Sequence, residues 1–474
     1  MVVAARSIAA AMTVLVLAAC VSPQPRIAAK PVQVYSDDGL SELTAPDTWV
    51  THPSLTKSGT IRLGDDDSIA YLVVNTYLPH ELKGQAFSQF AENVSKRLMS
   101  GMRGTKISAA RPISVQGRPA LEYEISGTRG SLALRYLSTV VDGEKARHHL
   151  VAWTPAERYG ANGDALREAV ASFRESAQKR AAKTRIDLTF DWPERMTSTA
   201  SVRSKSAKRG EVLEMSMRTV STVRPLGDDE LLVSGKVTEK KFSPATKDKG
   251  KAEYLVRLLA EATADMPDYV IDRDGDFVRM ENLGPYVKRV EDALVNGLPK
   301  GSEDVRATAR QMARQLVNEE TLNALMQDEW NNIVGNWAEA SFVPGQLYER
   351  QTSYWSPALG SQTFPMQLTQ RLVGRVPCTK NAAPDSCVRL AQTSRVSDPS
   401  FTRATGVLVR KAVGAEVSVD SAEVLKSVEV IADPETLLPY RSVVKETKSF
   451  TISAKGSAPK TSEETSERVT TYSY

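Results

Sequence analysis

Apolar positions fall in two alternating rhythms along this chain, and the rhythm changes near residue 184. Ile69 to Tyr77 is β-branched and aromatic, which predicts a strand. Phe87, Phe90, Ala91, Val94 and Leu98 then recur at helical spacing, with Gly101 and Gly104 behind them. Leu121, Tyr123 and Ile125 alternate with Glu122 and Glu124, as on a half-buried strand. Leu132, Leu134, Tyr136, Ser138 and Val140 keep the period of two. Asp142-Gly143 predicts a tight hairpin turn, because that pair tolerates positive φ. A return strand is expected over 146–154, and Leu166, Ala169, Val170 and Phe173 line a closing helix. Residues 35–176 therefore read as strands, helix, antiparallel meander and helix.

Residues 177–184 are polar and basic, and mark a linker. Beyond them Ile186, Leu188 and Phe190 alternate, then Leu213, Met215 and Met217, then residues 230–239. The turn residues Gly227-Asp228-Asp229-Glu230 separate the last two strands, and a Lys-rich loop covers 240–251. Residues 252–337 read as a helical insert, broken by a hairpin around Asp274-Gly275. Its helices are expected from 254, over 285–298, over 304–317 with Ser302 as N-cap, and over 319–337. Strands return over 366–376, 388–396, 415–432, 440–453 and 467–474. The fold class is thus α+β. The domain at 185–474 is expected to be one curved antiparallel sheet, a half-barrel around the helical insert.

The N-terminus follows a different logic. An apolar run from Ile8 to Ala19 stands behind the single basic residue Arg6 and ends in small residues before Cys20. This is the layout of a secretory signal peptide over 1–19. The run is too short for a membrane helix, which needs about 20 residues. Leu17-Ala18-Ala19-Cys20 is similar to the lipobox of bacterial lipoproteins at all four positions. That resemblance implies a diacylglycerol thioether on Cys20 and, after cleavage, an acylated amine. Each buried methylene is worth about 0.8 kcal/mol, so several acyl chains hold a protein to a bilayer. Val21, in place of Asp, implies the outer membrane, facing the periplasm. Residues 20–34, with Pro23, Pro25 and Pro31, then serve as a flexible tether.

Three cysteines are present: Cys20, Cys378 and Cys387. With Cys20 lipidated, the other two form an even remainder, which in an exported protein reads as one structural disulfide. The spacing is not the C-x-x-C of a redox pair. A net charge of +4, spread along the chain, gives no argument for nucleic acid.

Gly39 with Pro46 and Trp49, then Gly117-Arg118-Pro119-Ala120 leading into Leu121-Glu122-Tyr123, then Ser172-Phe173, resemble the PsbP-like and DcrB-like family. The resemblance covers about 35–176. It implies a small α/β sandwich and a binding or assembly role, with no catalytic residue. The second domain resembles LolA-type carriers in architecture alone.

Chemistry is sparse. His52, His80, His148 and His149 all lie in the first domain, outside any metal-binding motif. His148 and His149 are neighbours on a strand, so they face opposite sides. No nucleophile elbow, P-loop or dinucleotide fingerprint occurs. Asp272 to Asp276 departs from an EF-hand in its glycine position and lacks the closing Glu, so a hairpin turn is expected. Asp65-Asp66-Asp67 reads as a solvated turn. Trp330 and Trp337, seven apart on a predicted helix, are either core residues or the wall of an apolar cavity.

The sequence therefore points to a non-catalytic, membrane-anchored envelope lipoprotein with a protein partner and no cofactor or metal. A carrier of an apolar ligand such as lipid is the alternative, and a hydrolase is the remote one.

Overall fold

The structure is a computed structural model. It describes residues 30–474 apart from 54, 57, 67, 83, 178–180, 209–210, 245–266, 297–317, 361, 414–416 and 455–457. The signal peptide, Cys20, the helix start at 254, Ser302 and the helix expected over 304–317 lie outside the described residues. Two compact units emerge.

The first unit holds the described residues of 30–186 together with Ala340–Thr352. Its strands are β1 (Pro31–Tyr35), β2 (Ser41–Pro46), β3 (Val50–Thr51), β4 (Ile61–Asp65) and β5 (Ala70–Tyr77). Helix α1 (Phe87–Arg97) precedes β6 (Arg103–Ile107), β7 (Arg111–Val115), β8 (Arg118–Arg129), β9 (Leu132–Asp142) and β10 (Arg147–Pro155). Helix α2 (Tyr159–Ala171) and β11 (Arg174–Glu175) close the run. The main sheet has the order β3-β4-β5-β10-β9-β8-β6, with β7 also on β8, and a small sheet has the order β1-β2-β11.

Each face of the main sheet is covered. On one, Phe90, Ala91 and Val94 of α1 pack on Tyr123, Ile125, Tyr136 and Val140. On the other, Leu166, Ala169 and Val170 of α2 pack on Leu137, Val141, Leu150 and Ala152. Coverage on both sides is why β10 is buried almost without a break, its two histidines included, rather than on alternate residues. Strands β6 and β7 are additions to the meander expected from sequence.

The second unit is built on one open antiparallel sheet. After β12 (Ile186–Asp187) come β13 (Met196–Lys208), β14 (Glu211–Leu226), β15 (Glu230–Pro244), β16 (Tyr269–Asp272) and β17 (Phe277–Met280). Helices α3 (Leu283–Asn296) and α4 (Glu319–Trp330) are followed by β18 (Ser341–Phe342), which lies in the stretch belonging to the first unit, and then by β19 (Tyr348–Trp355), β20 (Thr363–Val376) and β21 (Cys387–Val396). Helix α5 (Pro399–Val413) leads to β22 (Val417–Ala432), β23 (Pro439–Ala454) and β24 (Lys460–Ser473). The eleven-strand order is β17-β16-β15-β14-β13-β24-β23-β22-β21-β20-β19. Two meanders are thus stitched together by the β13–β24 pair, which runs from Thr199 opposite Ser473 to Lys208 opposite Glu464.

Three expectations change. Of the strand expected at 186–190, only Ile186–Asp187 is extended in a ladder, while Leu188 and Phe190 are buried. Ala340–Thr352, expected in the second domain, belongs to the first unit. The reason is long-range hydrogen bonding that no local pattern encodes. The helix expected over 319–337 stops at Trp330 and continues as a π-helical turn, Asn331–Gly335.

Candidate functional site

The two tryptophans are core residues. Trp330 is 4% exposed, and its Nε1 donates to the Gly275 carbonyl at 2.8 Å. It meets Trp192 edge-on at 5.2 Å, Phe190 at 6.2 Å and Tyr269 at 5.9 Å. Trp337 is fully buried, and its Nε1 donates to Asn332 O at 3.4 Å. The π turn between them breaks the 3.6-residue repeat, so the seven-residue spacing no longer places them on one continuous stripe. Gly275, at φ +88°, lies where a Cβ would run into the Phe190 ring, so this aromatic cluster needs glycine at the turn.

Beside the π turn runs a chain of amides, buried at Asn332, Gln370 and Gln392 and half-buried at Asn336. Asn336 Nδ2 donates to Gln392 Oε1 at 3.0 Å, Gln392 Nε2 donates to Asn332 Oδ1 at 3.2 Å, and Gln370 Nε2 donates to Asn336 O at 3.1 Å. Such a network fixes the helix segment to β20 and β21.

The histidines sit in the first unit with different surroundings. His149 is buried beneath α1, with Nε2 2.9 Å from Ser138 Oγ, which is 2.8 Å from Ser95 Oγ. Burial pushes its imidazole down to about 3. This serine–histidine pair is sealed: Ser95 and Ser138 are fully buried and His149 is 3% exposed. His148 faces the opposite side, as the strand period requires, with Nε2 3.3 Å from Glu175 Oε1 and Nδ1 3.2 Å from Thr76 Oγ1. Glu175 also accepts from the backbone N–H groups of Glu144, Lys145 and Ala146. Burial works to raise this carboxyl, yet His148 and the amides of Lys145 and Glu144 outweigh it and hold it at about 2. A cavity of about 160 Å³ opens next to it, lined by Val115, Gln116, Arg118, Val141, Phe173, Arg174 and Glu175. Its cations are already paired, Arg118 with Glu144 and Arg174 with Glu42.

His52 is buried beside Asp66 at 3.6 Å, and Arg350 Nη1 lies 3.3 Å from its Nε2. Asp66 also accepts from the Tyr71 hydroxyl at 2.9 Å, so it is tied into the unit rather than merely solvated. His80 is exposed. Asp272 Oδ1 accepts from the N–H groups of Asp274 and Asp276 at 3.0 and 2.8 Å, which makes the acidic stretch a side-chain-capped turn. Among the described residues no group of three His, Cys, Asp or Glu is placed to hold a metal ion.

The large sheet has two unlike faces. On one, Glu214, Lys205, Glu467 and Lys445 stand directly opposite one another on four neighbouring strands. Opposite charges side by side support the ladder and keep this face wet. A trough of about 490 Å³ lies along it, bordered by Arg203, Lys205, Glu214, Lys241 and Glu467. The other face carries α4, through Arg468 on Glu329, and α5, whose Phe401 packs with Phe364, Val396, Ala422 and Val424. Met215, Phe450 and Ile452 on this face are only half-buried. Helix α5 was not expected from sequence. The available signal was Asp398-Pro399 just ahead of it: Asp398 Oδ1 accepts from Ser400 N at 2.7 Å, and proline suits the first helical position.

Cys378 and Cys387 are disulfide-bonded, as the cysteine count predicted. The bond clips the tip of the β20–β21 hairpin, where Val376 stands opposite Cys387.

No family model matches the chain. No curated protein matches it either. Among solved structures, its N-terminal region is similar to the cyanobacterial PsbP protein CyanoP from Synechocystis sp. PCC 6803. That match has 16% identity and a TM-score of 0.26, over 34% of this chain and 99% of that one. A second likeness is to PA94 of Pseudomonas aeruginosa, a protein of unknown function, at 15% identity and a TM-score of 0.21, over 29% of this chain and 92% of that one. A third is to lipovitellin, solved for its lipid–protein interactions, at 9% identity and a TM-score of 0.29. It covers 60% of this chain and 25% of lipovitellin.

Proposed function

We propose that the protein is a lipid-anchored bacterial envelope lipoprotein whose two units bind a partner and catalyse no reaction. The observation that carries this reading is the pairing of Cys378 with Cys387. It takes two of the three cysteines and leaves Cys20, at the end of Leu17-Ala18-Ala19, for acylation. A disulfide also suits a chain exported to an oxidising compartment. Val21 favours the outer membrane on its periplasmic side.

Labelled palmitate supplied to expressing cells should enter the chain, and Cys20→Ala should move it from the membrane fraction to the soluble one. Equal membrane retention of Cys20→Ala with no label in the parent would overturn the anchor. Affinity capture from detergent-solubilised envelopes then asks for the protein partner.

A second reading is supported by the half-buried Met215, Phe450 and Ile452 on the helix-bearing face of the large sheet. It has that face carrying an apolar ligand such as a lipid acyl chain. Organic extraction of the purified chain followed by mass spectrometry should then release a lipid, and a lipid-free extract counts against it.

A further inference from the structure

We infer that α5 is a second membrane contact, a helix face that lies on an anionic phospholipid surface. The helix runs Pro399–Val413 and contains no acidic residue. Phe401, Thr405 and Gly406 turn inward toward the sheet and are buried. Outward, Val407 and Leu408 are 46% and 41% exposed, two large apolar residues side by side in water. Around them stand three exposed cations. Arg403 lies one turn before Val407, and Arg410 and Lys411 lie one turn after it.

Among the described residues none of the three cations forms an ion pair within the chain, in contrast to the charge ladder on the other face of the sheet. The arrangement is that of an interfacial helix: apolar side chains at the centre reach the acyl boundary, and basic ones around them meet phosphate. Asp398, ahead of the helix, is the acid that Arg403 feels, and its carboxylate is already taken by Ser400, so the excess of cations on this face selects an anionic surface. The small apolar area gives weak and reversible contact, which suits a body already held near a bilayer by another device. The inference gains from the proposed anchor and does not depend on it.

The test uses the full mature chain carrying Cys20→Ala, so that no acyl chain contributes. It is floated with vesicles of phosphatidylethanolamine and phosphatidylglycerol, and separately with phosphatidylcholine alone. The expected result is flotation with the anionic vesicles only, reversed by high salt. Arg403→Gln/Arg410→Gln/Lys411→Gln should weaken it at least about tenfold, because the attraction of surface cations to anionic lipid is lost. Val407→Ser/Leu408→Ser should also release the chain, with the unfolding midpoint unchanged because both sites are exposed. Absence of flotation overturns the inference. So does flotation indifferent to both variants. A concentration-dependent dimer that the serine variant dissolves, without vesicle binding, assigns the face to a second copy instead and also overturns it. Failure of palmitate labelling would defeat the anchor and leave this result standing.

Discussion

The guanidinium of Arg62 donates from Nη1 to the carbonyl oxygen of Ser341 at 2.9 Å, across 279 residues of chain. The same nitrogen donates to Pro53 O at 2.9 Å, and Nη2 reaches Asp37 at 3.4 Å. The Arg62 side chain is fully buried. Ser341 N returns a bond to Pro53 O at 3.1 Å, and Lys183 Nζ donates to Gln346 Oε1 at 3.3 Å. Ala340–Thr352 is therefore a strap that completes the first unit from far down the chain.

Removing the cation should loosen that strap. Arg62→Met takes the guanidinium from the Ser341 carbonyl and leaves Pro53 O to Ser341 N and Asp37 to Lys183 and Arg185, so the cost should fall in the range of lost charged hydrogen bonds, about 1.5–3 kcal/mol. Urea unfolding should show an earlier transition for the first unit. Arg62→Lys should not restore it, because a single ammonium cannot serve both carbonyls and the carboxylate in the planar geometry of the fork.

His149 sets an acid limit. Folded, it stays neutral down to about pH 3. Unfolded, it takes up a proton near pH 6.5, about the ordinary histidine value. Between those values the unfolded chain binds more protons, so stability falls as pH falls, by at most about 1.4 kcal/mol per pH unit. His149→Leu should flatten that limb while Ser95 and Ser138 remain bonded to each other. Urea midpoints measured from neutral to acid pH will show the change in slope.

Glu175 acts in the same direction at lower pH. Its folded value of about 2 lies below the ordinary 4.5. Its stabilisation is complete above the ordinary value and is lost as pH falls through about 2. Glu175→Gln should cost roughly 1–3 kcal/mol at neutral pH, the range for weakening charged hydrogen bonds, and nothing in strong acid. Gly143→Ala should mimic it, because the added Cβ would strike the Glu175 carboxylate and the Ala146 carbonyl. Thermal melts across pH check both variants.

The disulfide is a local clip. Replacing Cys378 and Cys387 by serine opens a small ring worth about 2.5 kcal/mol in the chain-entropy model. The loss should appear in the second unit, whereas palmitate labelling at Cys20 should be unchanged. Denaturant titration with and without reductant compares the two states directly.

Strands such as Ala70–Tyr77 and helix Phe87–Arg97 were legible because each buries a periodic apolar stripe. Strand Met196–Lys208 was not, because its Thr, Ser, Lys and Arg residues carry no alternating pattern and its place comes from pairing with Glu211–Leu226 and Lys460–Ser473. Helix Pro399–Val413 was obscured by a run of mixed small, apolar and basic residues. The Trp330–Trp337 spacing assumed an α-helical repeat that the π turn interrupts. The strap was invisible, since Arg62 and Ser341 are joined only by tertiary geometry.

That strap separates the order of synthesis from the order of completion. A chain emerging from its N-terminus delivers Arg62 long before Ser341, and most of the second unit's first meander leaves the ribosome in between. The earliest unit to appear must wait, with a charged side chain lacking its distant oxygen, for a passage that arrives after half of its neighbour. A truncated nascent product ending before residue 340 would therefore be an incomplete first body, however intact its own sheet.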